Sequence, residues 1–211
     1  DKLTDHHTHT LFNCVAATKI VFPVSRLVVD PERFIQDPME SVGMGVVYTR
    51  TTDGDPLRAI SDVDRLALID SYYHPHHDAL TRMVDDCLER RNQCLIIDCH
   101  SFPAQPLPYE SDINRPDICI GTDAYHTSAE LKDCLSKAFE TSDYIVAIDS
   151  PFCGSIVPLK HYHLDRRVSS VMIEVNRSLY DDPIGFTRVQ SDLSDVIAQA
   201  FTIDPFHNLG E

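Results

Sequence analysis

This sequence encodes an α/β protein, a sheet layered against helices, and two observations carry that reading. Between residues 61 and 201, short β-branched or apolar runs alternate with stretches whose apolar residues recur at helical spacing, as a layered sheet requires. The run Cys94-Leu95-Ile96-Ile97-Asp98-Cys99, followed by His100, Ser101, Phe102 and Pro103, is short, apolar and bounded by a turn signal, so it reads as a buried strand. Chemistry in open α/β sheets gathers at the carboxyl ends of strands. Asp98 and His100 are two apart and therefore point to the same side of an extended chain. They suit a metal site or an acid–base pair, or a hydrogen-bonded histidine closing a strand.

Taken in order, Asp5-His6-His7-Thr8-His9 is a histidine-rich start with Asp5 and His9 at helical i,i+4 spacing, which suits metal ligation or a solvated terminus. Residues 15–22 read as a strand closed by Pro23, and Leu27-Val28-Val29 as another between Arg26 and Asp30. Arg26 and Arg33 in so acidic a chain suit capture of a carboxylate, or a surface ion pair with Asp30. Residues 43–50 read as a turn and a strand, and 51–56 as a loop with an Asp-Gly-Asp-Pro turn signal. From Ser61, an N-cap candidate, helical periodicity runs to Arg91, and Pro75 within Tyr72-Tyr73-His74-Pro75-His76-His77 predicts a break. His74, His76 and His77 at that break are candidates for a second metal or, His76 and His77 above all, for substrate contact, or for hydrogen-bonded packing.

Beyond the strand at 94–99, residues 103–116 form a Pro-rich loop, 117–121 a strand, 127–141 a helix capped by Thr127 or Ser128, and 143–149 a strand. Residues 168–177 form a strand with Glu174 inside it, and 191–201 a last helix. A carboxylate in an apolar strand is costly unless paired and has its pKa raised. Glu174 is therefore either a general base or half of an ion pair with Arg177.

The 211 residues suit a single domain, 1–211, and 43% hydrophobic content supplies a sizeable core. No segment is long and apolar enough to span a bilayer, and no signal-peptide pattern opens the chain. A net charge of -15 repels phosphate backbones and disfavours nucleic acid as a partner. Seven cysteines without a CxxC pair read as structural thiols in a reducing cytoplasm rather than a disulfide framework. The expected partner is a small molecule.

Four segments together resemble the N-formylglutamate amidohydrolase family: Arg-Leu-Val-Val-Asp-Pro-Glu-Arg-Phe at 26–34, Tyr-His-Pro-His-His-Asp-Ala-Leu at 73–80, Ile-Asp-Cys-His-Ser-Phe at 97–102 and Ile-Glu-Val-Asn-Arg-Ser-Leu-Tyr at 173–180. Residues 43–50, 120–123 and 151–155 fit as well, in the family's order. The resemblance implies a mixed sheet sandwiched by helices, like that of zinc carboxypeptidases, and hydrolysis of a formyl amide to formate and glutamate. It implies Zn2+ or another divalent cation, with His100 as ligand, Asp5 beside it and His9 or His6 as a third. Glu174 becomes general base and acid, with Arg26 beside it as the second catalytic residue. Arg26, Arg33, Arg50 and Arg177 form the pool that binds the substrate carboxylate.

The chain departs from the family pattern at three places. It starts after the point where a Pro-His-Ser segment is expected, so an upstream segment with a further ligand is expected. His9 and Thr10 stand where the family has an acidic pair, and Asp149 replaces an asparagine before Ser-Pro-Phe. Two other readings stay open: a relative acting on another small amide or peptide, and a binding domain that keeps the fold without the metal.

Overall fold

The computed structural model describes residues 3–14, 17–106 and 114–203. Its centre is a four-stranded mixed sheet of β1 (Cys94–Phe102), β2 (Ile118–Gly121), β3 (Val146–Ile148) and β4 (Val168–Asn176), ordered β1-β4-β2-β3. β1 and β4 run parallel, as do β2 and β3, while β2 and β4 are antiparallel. β4 is central, and all nine of its residues are buried.

Alternation along β4 divides the molecule. Val171, Ile173 and Val175 face a core shared with α1 (Thr8–Leu11), α4 (Ala129–Thr141) and α5 (Pro183–Ala200). Leu131, Leu135 and Phe139 of α4, at i, i+4 and i+8, are fully buried there, the stripe that an amphipathic helix presents to a sheet. On the other side, Leu80, Val84 and Leu88 of α3 (His74–Arg91) pack with Cys94 and Val168. Helices thus cover both faces. The side chains of Asp98, His100 and Glu174 belong to the α3 side, at the carboxyl end of the parallel pair.

A third cluster joins Val29, Val46 and Val47 to Ile69 and Tyr73. It fastens the irregular 24–58 segment to the helical stretch beside the strand ends.

Several local expectations are corrected. Residues 17–22 have no regular structure (15 and 16 lie outside the described residues), 26–28 form a turn, and 43–50 hold only an isolated bridge from Arg50 to Pro56. Valine-rich composition favours strands only where a neighbouring strand exists to pair with, and among the described residues none pairs with these segments. The helix does not break at Pro75. α2 (Asp62–Leu68) continues through a π-helical turn at Ile69–Tyr73 into α3, with Pro75 in its first turn, where the missing N–H matters least. Strand β1 extends to Phe102. The last helix starts at Pro183, capped by Asp182, which accepts from Ile184 N (2.8 Å) and Gly185 N (2.9 Å). Asp-Pro at 182–183 is the N-cap and N1 signal that places this start.

Asp149, the departure from asparagine, sits in the left-handed region at φ 52, which Asn and Asp tolerate best among residues with a Cβ. Its carboxylate accepts from Thr122 N and Oγ1 at 2.7 and 2.6 Å. Residues 107–113 of the Pro-rich loop lie outside the described residues. All seven cysteines are free thiols. No described helix is long and apolar enough to cross a membrane.

Candidate active site

The site grows from β1. Its period of two puts Asp98 and His100 on one side, and His100 Nε2 lies 2.8 Å from Asp98 Oδ1. Asp98 Oδ2 accepts the Ile156 N–H at 3.0 Å, so both of its oxygens are engaged. On the other side of the ring, His100 Nδ1 lies 3.4 Å from Asp5 Oδ2, while Asp5 Oδ1 accepts the Ser101 N–H at 2.7 Å. Glu32, delivered by the turn after Asp30-Pro31, reaches to 3.9 Å from His100 Nε2. Register places Glu174 of β4 directly beside His100 of β1. Glu174 is buried, and its Oε2 has no hydrogen-bond partner among the described residues.

Four carboxylates therefore surround one imidazole, and the electrostatics follow. Burial opposes charge on His100, but Asp98 and Asp5 outweigh it and raise its pKa well above the usual value. Burial would raise Asp5, but the hydrogen bond and charge of His100, with Arg26 and the Ser101 N–H, hold it low. Glu32 is raised by burial and by the Asp98 charge. Glu174 is raised to about 7, mainly by burial. Arg26 is held more firmly charged than usual: burial works against it, and Asp30 and Asp5 prevail.

An excess of acids around an imidazole is a donor set for a divalent cation. The ligand atoms of Glu32, Asp98 and His100 lie within 4.8 Å of one another, wider than a closed coordination shell and able to contract onto an ion. Asp5 on the Nδ1 side offers a second approach, one that leaves the Asp98–Nε2 contact intact. In that arrangement Asp98 fixes the ring and its tautomer, as carboxylates behind metal-ligating histidines do. One nitrogen among carboxylates suits zinc and also harder ions.

Of the residues singled out in the sequence, the structure brings together His100, Asp5, Glu174 and Arg26. Arg177 stands at the rim, donating from Nη2 to the Ser101 carbonyl at 3.2 Å and from Nε to its hydroxyl at 3.3 Å. Arg33 turns to Asp30 and Asp37, each 3.9 Å away. Arg50 is exposed and donates to the Gly54 carbonyl at 2.8 Å. His9 is not brought to the group. It is exposed on α1, which begins only at Thr8, while Asp5 lies before the turn at His6 and His7, so helical i,i+4 spacing does not join the two. His77 Nε2 is committed to the Pro31 carbonyl at 3.0 Å. His76 packs on Phe22, and burial lowers its pKa to about 4, with Asp98 near enough to counteract in part.

Reading the sequence missed Glu32 as a site member, since a single acid in a turn carries no periodic signal. Asp98 was visible through its spacing from His100.

Comparisons with known proteins bear on the fold and the family. The crystal structure of an N-formylglutamate amidohydrolase from Ralstonia eutropha shares the fold, with a TM-score of 0.65 and 22% identity over 84% of this chain and 74% of that one. That of a gene product from Agrobacterium tumefaciens gives 0.64 and 19%, over 84% and 68%. No curated protein matches the chain significantly. The family model for N-formylglutamate amidohydrolase matches residues 1–181. With most of its length covered by that match, the chain belongs to the N-formylglutamate amidohydrolase family.

Proposed function

We propose that the protein hydrolyses the amide of an N-formyl acidic amino acid, N-formylglutamate in the first instance, releasing formate and glutamate. The observation that carries this is Glu174: a buried carboxylate on the strand next to His100 whose Oε2 has no hydrogen-bond partner among the described residues. Its pKa, raised to about 7, suits a group that takes a proton and then gives it back near neutrality.

His100 through Nδ1 and Asp5 are the residues that would hold the cation, zinc by family resemblance, with Asp98 fixing the ring from its Nε2 side. Such an ion supplies a Lewis acid for the formyl oxygen and for the attacking water. Glu174 Oε2 takes the proton of the water that adds to the formyl carbon. The same atom then hands that proton to the leaving nitrogen as the C–N bond breaks, leaving formate and the free amine of glutamate. Arg26, charged and adjacent, and Arg177 at the rim bind the two carboxylates of the substrate, and His76 contacts the substrate as a neutral ring. Free thiols throughout fit a cytoplasmic enzyme.

The test combines elemental analysis with formate release. Purified protein is expected to hold about one divalent ion per chain and to release formate from N-formyl-L-glutamate faster than from N-formylmethionine or N-acetylglutamate. Turnover of a different amide in that panel would move the substrate assignment. Absence of both metal and turnover would favour a binding domain.

A further inference from the structure

We infer that Asp30 is a positioning residue that holds the arginine pair of this site and, through Arg26, sets affinity for the substrate carboxylate. The inference rests on the amidohydrolase reading for the identity of that anion.

Asp30 is 1% exposed, and four groups converge on its carboxylate. Oδ1 accepts the Glu32 N–H at 3.0 Å, the local bond that aspartate makes across a turn. Oδ2 accepts the Tyr48 hydroxyl at 3.0 Å and faces Arg26 Nε at 3.6 Å and Arg33 Nε at 3.9 Å. The Asp30 N–H in turn donates to the Val46 carbonyl at 2.7 Å, which anchors the turn in the third core cluster.

Two cations whose Nε atoms lie within 3.9 Å of one oxygen would repel each other without the charge between them. Asp30 does not consume the Arg26 charge, because that cation also acts on Asp5, Glu32 and Glu174. The contacts to Arg26 and Arg33 are too long for the closed bidentate fork of a finished ion pair. They hold the guanidinium groups in place and leave donors for an incoming carboxylate. The same carboxylate fixes the backbone of Glu32. Asp30, Pro31, Glu32 and Arg33 therefore act as one turn that brings Glu32 toward His100 while the Asp30 carboxylate holds Arg26 and Arg33.

The test uses the full, metal-loaded chain with Asp30→Asn and Tyr48→Phe. Asparagine can keep the bond from Glu32 N at its Oδ1 and donate from Nδ2 to the Tyr48 hydroxyl oxygen while removing the charge. KM and kcat on N-formyl-L-glutamate, calorimetric affinity for glutarate and thermal midpoint are measured together. Asp30→Asn is expected to raise both KM and the glutarate Kd about tenfold while changing kcat by less than about threefold. Tyr48→Phe is expected to shift both in the same direction by a smaller factor, which keeps the test decisive if Asp30→Asn does not fold.

Unchanged KM and glutarate affinity in a folded variant, with only the thermal midpoint lowered, would make Asp30 a purely structural ion pair and overturn the inference. If the native chain binds glutarate but releases no formate, the functional reading fails and the glutarate comparison alone decides the role of Asp30. A native chain without glutarate affinity overturns both.

Discussion

Replacing Glu174 by glutamine is expected to make the metal-free protein more stable and the enzyme nearly inactive. Glu174 is 8% exposed, and its Oε2 lacks a partner among the described residues. Burial raises its pKa from 4.5 to about 7. The native state thus binds this proton more tightly than the unfolded chain. The stability it contributes is complete below about 4.5 and is lost as pH rises through about 7. At about 1.36 kcal/mol per unit, ionised Glu174 costs the native state about 3 kcal/mol on the alkaline side. Glutamine carries no such charge. In urea unfolding of chelator-treated protein, Glu174→Gln is therefore expected to exceed the native chain by about 3 kcal/mol near pH 8.5 and to converge with it near pH 4. With metal restored, kcat/KM for formate release is expected to fall by about 10²–10⁴. Equal or lower stability of Glu174→Gln at high pH would show that the carboxylate is a satisfied ion pair, and the general-base assignment would lose its physical basis.

Metal affinity, measured by chelator competition, should separate the two sides of the His100 ring. Asp98→Asn is expected to weaken binding about 10–100-fold without changing stoichiometry, Asp5→Asn to abolish it, and Glu32→Gln to leave it nearly unchanged; abolition by Glu32→Gln would instead place the ion on the Nε2 side. His9→Ala and Arg50→Ala are expected to alter formate release by less than about twofold, since both side chains are exposed and away from the strand ends; a larger loss in either would return that residue to the site. Asp182→Ala removes the cap of α5 and should cost about 1 kcal/mol in denaturant unfolding. Leu135→Ala opens the fully buried α4 stripe and should cost about 2–5 kcal/mol, and a smaller cost would mean that the core collapses around the gap.

Much of the architecture is local and was legible. β1, β2 and β4 are short apolar runs between turn residues, and α4 carries both its cap and its stripe, so each declares itself within a few residues. The shared side of Asp98 and His100 follows from the period of a strand alone. The segments at 17–22, 26–29 and 43–50 carry the same β-branched composition, yet form turns and irregular chain. A strand exists only with a partner, and Pro23, Pro31 and Gly43 leave these segments to pack as loops.

The candidate site divides in the same way. Spacing could aim His100 and place Glu174 in a buried strand, but it could not say that Asp5 would meet His100 across 95 positions. Nor could it say that His9, at inviting spacing from Asp5, would face solvent. Those outcomes depend on how α1 docks beside β1 and on how the third core cluster fastens the Asp30 turn over the strand ends. Local periodicity determines which way a side chain points. Which distant carboxylates arrive in front of it is decided by long-range packing, because burying the apolar faces of separate elements fixes their mutual position and carries the polar groups along.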